Sequence, residues 1–178
     1  MNAAEPLVRP FRPDQDMDAV LDIWVRASEQ AHAFVPPGFW RARLTEMRDR
    51  YLPLAEVRVA IWPDVAGFAA VVEDHLAALF VDPERQGRGL GRLLVEDARQ
   101  GRAELSLSVY ESNTAARAFY ERLGFVPQCR IRDGLTGRPE WTMLWRRGDR
   151  PCRDNPASGS ANGGRRATKG VSAGRWSE

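Results

Sequence analysis

The stretch from His75 to Tyr110 constrains the fold more than any other part of the chain. Its first run, HLAALFVD, is almost continuously apolar, which is typical of a strand buried on both faces. Leu90, Leu94 and Ala98 then have the spacing of one helix face, and apolar and polar residues alternate in ELSLSVY. A strand, a helix and a second strand in this order predict a crossover that joins two parallel neighbours of one sheet.

Three glycines at alternate positions, Gly87, Gly89 and Gly91, separate the first strand from the helix. Glycine lets a ligand approach the backbone closely. The first turn of a helix has unpaired N–H groups and a partial positive charge. Together these features are typical of a site that binds an anion, most often a phosphate.

Two common phosphate-binding motifs do not fit these glycines. A dinucleotide fingerprint, G-x-G-x-x-G, would have its third glycine at Arg92 or Leu94, depending on the glycine from which it starts. A P-loop requires a lysine after its last glycine, and the lysine of this chain is the distant Lys169. The pattern that remains is Q-x-x-G-x-G, from Gln86 to Gly91.

Shorter patterns predict the elements of the first half of the chain. A strand is expected from Leu7 to Phe11, and Asp14 is a candidate cap for the helix that follows. The apolar residues with helical spacing in that helix are Met17, Val20, Leu21, Trp24 and Ala31. A second helix is predicted after residues 36–38, with an apolar stripe that consists of Trp40, Leu44, Met47 and Tyr51. The segments EVRVAIW and AGFAAVVE predict a β-hairpin.

The composition fits one ordinary domain and an additional C-terminal segment. The 26 basic and 24 acidic residues leave a net charge of +2, which gives no case for wholesale binding to nucleic acid or to a membrane. After Trp145 the chain becomes rich in Gly, Ser and Arg and poor in apolar residues. We therefore predict a folded domain over residues 1–147 and a disordered tail over residues 148–178. A tail that binds nucleic acid is the less favoured alternative.

Cysteine and histidine are too few to predict a disulfide framework or a metal site. Cys129 and Cys152 lie far apart, and the chain has only two histidines. The first residues have no basic and apolar targeting pattern, and no apolar run is long enough to cross a bilayer. These observations predict a soluble, cytoplasmic protein without a metal and without a membrane partner.

The segment ESNTAARAFYERLGFVP predicts a second element that lines the ligand site. Seven residues separate Asn113 from Tyr120, which corresponds to about two helical turns, so both side chains project from one face of a helix. Gly124 is expected to end this helix in the left-handed conformation, before the strand FVPQCRI.

Together, the two motifs resemble those of the GNAT N-acetyltransferases. The pyrophosphate loop of that family has the form [QR]-x-x-G-x-[GA] after a strand that ends like LFVDP, and a later helix has an asparagine, then a tyrosine seven residues on. This chain matches these patterns at Gln86, Gly89 and Gly91, and at Asn113 and Tyr120. The segments IWVRASEQAHAFV, HLAALFVDP and DGLTGRPEW resemble the bacterial YjaB-like branch of the family.

The resemblance implies a mixed α/β (α+β) fold, the GNAT acyltransferase fold, whose mostly antiparallel sheet contains a splayed pair of parallel strands. It implies acetyl-CoA as the co-substrate, with the pantetheine arm in the gap between those two strands. The implied cofactor-binding residues are Leu79, Phe80, Val81, Gln86, Gly87, Arg88, Gly89, Leu90, Gly91, Arg92 and Asn113. By the same resemblance, Tyr120 protonates the departing CoA thiolate.

The group that removes the proton from the acceptor amine is harder to assign. Some members of the family have a glutamate at the position of Ser108, where serine cannot act as a base, and others have one at the position of His75. An imidazole is largely neutral near physiological pH and can accept a proton, so His75 is the predicted base. His32, Glu73 and Asp74 are the alternatives.

The leading interpretation is an acetyl-CoA-dependent N-acetyltransferase that acts on a primary amine of a small molecule or a peptide. The alternative is a CoA-binding sensor or interaction module without turnover, which Ser108 favours and Tyr120 opposes. No motif identifies the acceptor, because loops build acceptor pockets. The oligomeric state is also open, with a homodimer among the alternatives.

Overall fold

A seven-stranded sheet organises residues 5–148, the part of the chain that the computed structural model describes. Its strands are β1 (Leu7–Pro10), β2 (Glu56–Ile61), β3 (Val65–Val72), β4 (His75–Val81), β5 (Glu104–Tyr110), β6 (Val126–Arg132) and β7 (Pro139–Arg146). The spatial order is β1-β2-β3-β4-β5-β7-β6, in which β4 and β5 are parallel and the other neighbours are antiparallel. This topology confirms the predicted fold class. The predicted tail lies outside the described residues, apart from Gly148.

Helices cover both faces of the sheet. They are α1 (Pro13–Ala31), α2 (Leu44–Glu46), α3 (Leu52–Leu54), α4 (Leu90–Ala98) and α5 (Thr114–Arg122). One apolar core lies between the sheet and α1, and Trp40 and Met47 from the segment after α1 complete it. A second core lies between the sheet and α4, where Leu94 and Val95 pack against the strands. The sheet is therefore buried on both sides along its central strands.

The start of α1 differs from the prediction. The helix begins at Pro13, whose fixed φ and missing N–H suit the first helical position, and Asp14 lies in the first turn without capping it. Asp16 takes the capping role instead, since its carboxylate accepts the backbone N–H of Arg12 at 2.8 Å. The same carboxylate forms a two-bond ion pair with Arg9, at 2.7 and 2.8 Å, and so fastens β1 to α1.

The second predicted helix is not one regular helix. Its apolar stripe is correct, since Trp40 and Met47 are buried and Leu44 and Tyr51 pack beside them. The backbone, however, passes through a 3₁₀ turn at Arg41–Arg43, then α2, a π turn at Met47–Tyr51 and α3. Pro53 has no N–H to continue a regular helical ladder, so the chain changes its hydrogen-bond spacing before it.

The parallel pair of strands separates soon after it forms. Residue pairing between β4 and β5 is limited to His75 with Ser106 and Leu76 with Leu107. In β4 the register against β3 shifts so that Leu76 and Ala78 have partners and the residue between them has none, which is a β-bulge. The two strands therefore diverge from this point towards their carboxyl ends, as the predicted splayed pair requires.

Candidate active site

The glycine loop forms the mouth of a site at the carboxyl end of β4. Gly87 and Gly89 have φ of +74° and +82°, which side-chain-bearing residues rarely adopt, and Gly89 is the N-cap of α4. Gly91 has an ordinary backbone in a tight place, because an added Cβ would lie 3.3 Å from Cζ of Phe119 and the ring would have to shift. The loop therefore turns sharply and presents the first N–H groups of α4 to the outside.

A cavity of about 680 Å³ opens beside this loop. Its walls come from the end of α1, the second half of β4, the loop, the start of α4 and one face of α5. The predicted residues that line it are Leu79, Phe80, Val81, Gln86, Gly87, Gly89, Leu90, Gly91, Arg92, Asn113 and Tyr120. Elements that are distant in the sequence thus converge on one cavity, and nearly all of the predicted binding residues face it.

The charged side chains of the cavity wall are basic. Three arginines line it, Arg85, Arg92 and Arg122, and no aspartate or glutamate does so among the described residues. Two of the arginines have carboxylate partners outside the lining, Asp64 for Arg85 and Glu96 for Arg92. The N-terminus of α4 adds the partial positive charge of its dipole at the same place. This arrangement suits a ligand with several negative charges, such as a diphosphate.

An ion pair holds the end of α1 against the loop. Arg26 of α1 donates to the carboxylate of Asp82 at 2.9 Å, just before the loop begins. Burial acts to raise the pKa of Asp82, but hydrogen bonds from Arg26 and from the backbone N–H of Glu84 outweigh it and lower that pKa. Asp82 therefore remains ionised, and α1 stays beside the loop.

Asn113 and Tyr120 lie along one face of α5, as their spacing predicts. The side-chain oxygen of Asn113 accepts the backbone N–H of Ala116 at 3.1 Å, so this residue caps the helix as well as lining the cavity. Tyr120 is only 2% exposed, and its ring packs edge-on against Phe119 and Phe125. The tyrosine is therefore held in one orientation beside the cavity.

Arg88 and His75 do not line the cavity. The left-handed glycines on both sides of Arg88 turn its side chain outward, where the guanidinium lies 5.0 Å from the centre of the Trp62 ring. His75 lies six residues before Val81, about 20 Å along an extended strand, and its Nδ1 is 2.9 Å from Oγ of Ser106. The side chain of Arg88 is thus not a cavity group, and His75 lies where the two parallel strands are still paired.

His32 occupies a different environment. It is the C-cap of α1, it is 1% exposed, and neither ring nitrogen has a hydrogen-bond partner within residues 5–148. Burial lowers the pKa of His32 to about 4, against smaller opposing effects of the Ala31 backbone and the Asp133 carboxylate. The imidazole is therefore neutral at physiological pH.

Comparison with known proteins places this geometry in a family. The family model described as "Acetyltransferase (GNAT) domain" matches residues 23–127. The chain belongs to the GNAT acetyltransferases. Peptidyl-lysine N-acetyltransferase YiaC of Escherichia coli is 33% identical over 135 residues, which cover 73% of this chain and 90% of YiaC. This GNAT membership makes the protein an acyltransferase and confirms the family resemblance.

Solved structures of other GNAT proteins have the same fold. The solution structure of apo YjaB from Escherichia coli superposes with a TM-score of 0.70 at 30% identity and covers 79% of this chain and 97% of YjaB. The PaiA N-acetyltransferase of Thermoplasma acidophilum, crystallised with coenzyme A, superposes with a TM-score of 0.66 at 16% identity, covering 81% of this chain and all of PaiA (100%). At that identity the second likeness concerns the fold alone.

Sequence reasoning missed several residues of this site. Ala27, Gln30 and Ala31 line the cavity from α1, and Phe119 and its neighbours line it from α5. The α5 residues share a helix face with Asn113 and Tyr120, so their spacing contained a usable signal. The α1 residues follow no motif.

Within residues 5–148, no helix is long and apolar enough to span a membrane. The same residues contain no group of three or more His, Cys, Asp or Glu side chains that could hold a metal ion.

Proposed function

We propose that this protein transfers the acetyl group of acetyl-CoA directly to a primary amine, and that the amine belongs to a lysine side chain of a peptide or protein. The observation that carries the proposal is the single cavity whose wall includes the glycine loop, the second half of β4 and a buried tyrosine. It has a basic end for phosphates, and it borders β4, along which an uncharged arm would lie. A buried phenol lies along the same wall.

The reaction requires two proton transfers. The neutral amine nitrogen attacks the thioester carbonyl carbon, an N–C bond forms, and the C–S bond breaks. The ammonium form has no lone pair, so a proton must first leave the amine. The departing thiolate must then gain a proton, and Tyr120 is the proposed donor because its ring is fixed in the cavity wall.

The backbone of the loop and of β4 is proposed to bind most of the cofactor. N–H groups of the turn from Gly87 to Arg92 would hold the diphosphate, and the edge of β4 from Leu79 to Val81 would pair with the pantetheine amides. The Gln86 side chain already donates to the Val81 carbonyl at 3.3 Å, so this bond competes with the proposed bond from pantetheine to that carbonyl. The helix cap uses only the side-chain oxygen of Asn113, so its amide nitrogen is the atom proposed to donate to the cofactor.

His75 remains the proposed base. It lies on β4 beside Ser106, outside the cavity and at the closed end of the diverging strands, so a pantetheine arm bound along β4 would extend towards it. If it removes the amine proton, kcat/KM should fall as acid protonates the imidazole, and His75→Ala should remove this acidic limb. The matched variant Ser106→Ala keeps the imidazole and should shift the limb without removing it. A limb that persists in His75→Ala would exclude this role.

The acceptor assignment rests on relatives. YiaC and YjaB are named peptidyl-lysine N-acetyltransferases, and the chain covers 90% and 82% of the lengths of YiaC and of the YjaB of Salmonella typhimurium. The test uses a peptide with one lysine and a blocked N-terminus, acetyl-CoA, detection of the released thiol and mass spectrometry of the peptide. We expect one added acetyl group at the lysine. Tight acetyl-CoA binding without transfer to any amine would favour the CoA-binding module instead.

Location and assembly also remain proposals. A cytoplasmic location agrees with a pool of acetyl-CoA and with the composition of the chain. A homodimer is a reasonable assembly because β6 is a sheet edge with exposed residues such as Val126, which is 54% exposed. Measurement of the molar mass in solution would decide between monomer and dimer.

A further inference from the structure

Two rows of side chains on α5 line the cofactor cavity. One row contains Asn113 and Tyr120, the residues proposed to serve the pantetheine arm and the thiolate. The other row has the spacing of a single helix face and consists of Ala115, Phe119 and Arg122. We call it the outer row, because Ala115 and Arg122 are exposed to solvent whereas Tyr120 is buried. The outer row therefore borders the open part of the cavity.

The outer row stands next to the glycine loop. Phe119 packs closely on the first turn of α4, since a Cβ at Gly91 would lie 3.3 Å from Cζ of its ring. Arg122 follows Phe119 by three residues, which corresponds to about 4.5 Å along a helix axis and to the same side of the helix. Arg122 therefore lies about one helical turn beyond the point where α5 meets the loop.

Arg122 differs from the other two arginines of the cavity wall in its partners. Arg85 forms an ion pair with Asp64, and Arg92 forms one with Glu96 at 2.7 Å. No ion pair formed within residues 5–148 includes Arg122. Its positive charge is therefore available to a ligand in the cavity without the displacement of a carboxylate.

Coenzyme A carries two kinds of phosphate. A diphosphate joins the pantetheine arm to the 5′ carbon of the ribose, and a separate phosphate monoester is attached to the 3′ carbon. The proposed function places the diphosphate at the backbone N–H groups of the loop and assigns no partner to the monoester. A monoester carries nearly two negative charges at neutral pH, and the fork of a guanidinium matches the geometry of a phosphate. Because only the ribose separates the two phosphates, the cation that binds the monoester must lie beside the loop.

We propose that Arg122 binds the 3′-phosphate of CoA and thereby selects CoA over 3′-dephospho-CoA. This inference rests on the proposed function, because it requires the diphosphate to be bound at the loop. It adds a charged side chain that determines specificity to a cofactor site made largely of backbone groups. The half-buried ring of Phe119, between the loop and Arg122, offers a flat apolar surface on which the adenosine can pack.

The first test measures the Kd of CoA and of 3′-dephospho-CoA by calorimetry at low salt. The wild type should bind CoA about fivefold more tightly, which is the scale expected for an exposed charge pair. In Arg122→Ala the Kd of CoA should rise to that of dephospho-CoA, while the Kd of dephospho-CoA stays the same. The preference of the wild type should also shrink at high salt. A wild type without this preference, or an Arg122→Ala variant that keeps it, would overturn the inference.

Arg92→Ala is the matched control. Arg92 also lines the cavity, in the first turn of α4 beside the groups proposed to bind the diphosphate. Both ligands contain the diphosphate, so this substitution should weaken both by the same factor and preserve the preference for CoA. If Arg92→Ala abolished the preference and Arg122→Ala did not, the 3′-phosphate would belong to Arg92 and the inference would be wrong.

A second test observes the phosphates directly. In a phosphorus NMR spectrum of CoA, the monoester and the diphosphate give separate signals. With protein in saturating excess, the wild type should shift both kinds of signal, whereas Arg122→Ala should shift the diphosphate signals and leave the monoester signal close to that of free CoA. The diphosphate signals show that the variant is folded and has bound CoA. An equal shift of the monoester signal in both complexes would contradict the assignment of Arg122.

The two proposals fail in different ways. The proposed function fails if the wild type acetylates no amine while it binds acetyl-CoA. The inference alone fails if the wild type acetylates the lysine peptide while Arg122→Ala retains the preference for CoA over dephospho-CoA.

Discussion

The cofactor cavity and the His32 cluster, the packed rings of His32, Phe34, Trp40 and Tyr110, differ in what they are made of. The cavity relies on backbone: left-handed glycines, the first turn of α4 and the diverging edge of β4. The His32 cluster consists of side chains from separate elements, with His32 at the C-cap of α1, Trp40 in the segment after it and Tyr110 on β5. A site built from backbone requires a short run of permissive residues, whereas a cluster built from side chains requires residues scattered along the chain.

Charge also differs between the two regions. Arginines line the cavity, and no aspartate or glutamate does so among the described residues, whereas the His32 imidazole is buried and neutral at physiological pH. The cavity therefore suits an anion, and the His32 cluster is a packed apolar region.

The largest effect should come from a negative charge in the loop. Gly89→Asp places a carboxylate against the diphosphate, and a repulsion of about 4 kcal/mol would weaken acetyl-CoA binding about a thousandfold. The φ of Gly89, +82°, strains any residue with a side chain, so the control must have the same backbone strain. Gly101→Asp is the control, because Gly101 has a similar φ of +78° in a turn that does not line the cavity. Calorimetry that finds equal affinities in both folded variants would contradict the loop assignment.

The buried imidazole of His32 should make folding stability depend on pH. In the fold burial lowers the pKa of His32 to about 4, whereas in the unfolded chain an imidazole has its ordinary pKa of about 6.5. Between these values the unfolded state binds more protons, so stability is present above the higher pKa and falls as pH decreases towards the lower one. The loss should approach about 3 kcal/mol.

His32→Gln cannot titrate and should lose this part of the pH dependence. Denaturant unfolding at neutral pH and near pH 4.5 measures the difference between the variant and the wild type. His75→Gln is the matched variant at the other histidine. If His75→Gln rather than His32→Gln removed the dependence, the buried imidazole would not be its source.

Tyr120 tests the chemistry of the cavity wall. Tyr120→Phe removes one hydroxyl and should lower kcat about a hundredfold, since protonation of a leaving group contributes on that scale. The acetyl-CoA Kd should stay the same because the ring still fills the wall. Tyr51→Phe is the control, since Tyr51 lies away from the cavity and its hydroxyl donates to Glu46. A wild-type kcat in Tyr120→Phe would show that Tyr120 only packs and does not protonate the thiolate.

Substitutions of two arginines should have the smallest effects on the acetyl-CoA Kd. Arg88 lies over Trp62 outside the cavity, so Arg88→Ala should change the acetyl-CoA Kd by less than about twofold. Arg122 lines the cavity, and Arg122→Ala should weaken binding about fivefold at low salt. Titration calorimetry on both variants makes the comparison. A larger loss in Arg88→Ala would mean that the loop rearranges when it binds acetyl-CoA.

The same division explains how much the sequence could predict. The strand, glycine loop and α4 were predicted because Gly87, Gly89 and Gly91 lie within five residues and each backbone requirement leaves a local pattern. The His32 cluster was not predicted, because its rings come from separate elements. Their contacts with His32 are tertiary, and no local spacing contains them.

Local geometry at two helices shows a similar limit. Asp14 satisfied the pattern of an N-cap, yet Pro13 fits the first helical position so well that α1 begins one residue before it. The stripe from Trp40 to Tyr51 fixed which side chains are buried, but Pro53 decided the hydrogen-bond spacing of the backbone. Periodicity therefore predicted burial better than it predicted backbone conformation.

The short pairing between β4 and β5 has a consequence for the cooperativity of the whole fold. Four strands lie on one side of this seam and three on the other, and the paired residues across it are His75 with Ser106 and Leu76 with Leu107. Amide exchange by subglobal opening should therefore divide the sheet at the seam, with each part behaving as its own foldon. Acetyl-CoA bridging the two strands would join these units, so release of CoA would loosen the sheet at the end of every catalytic cycle.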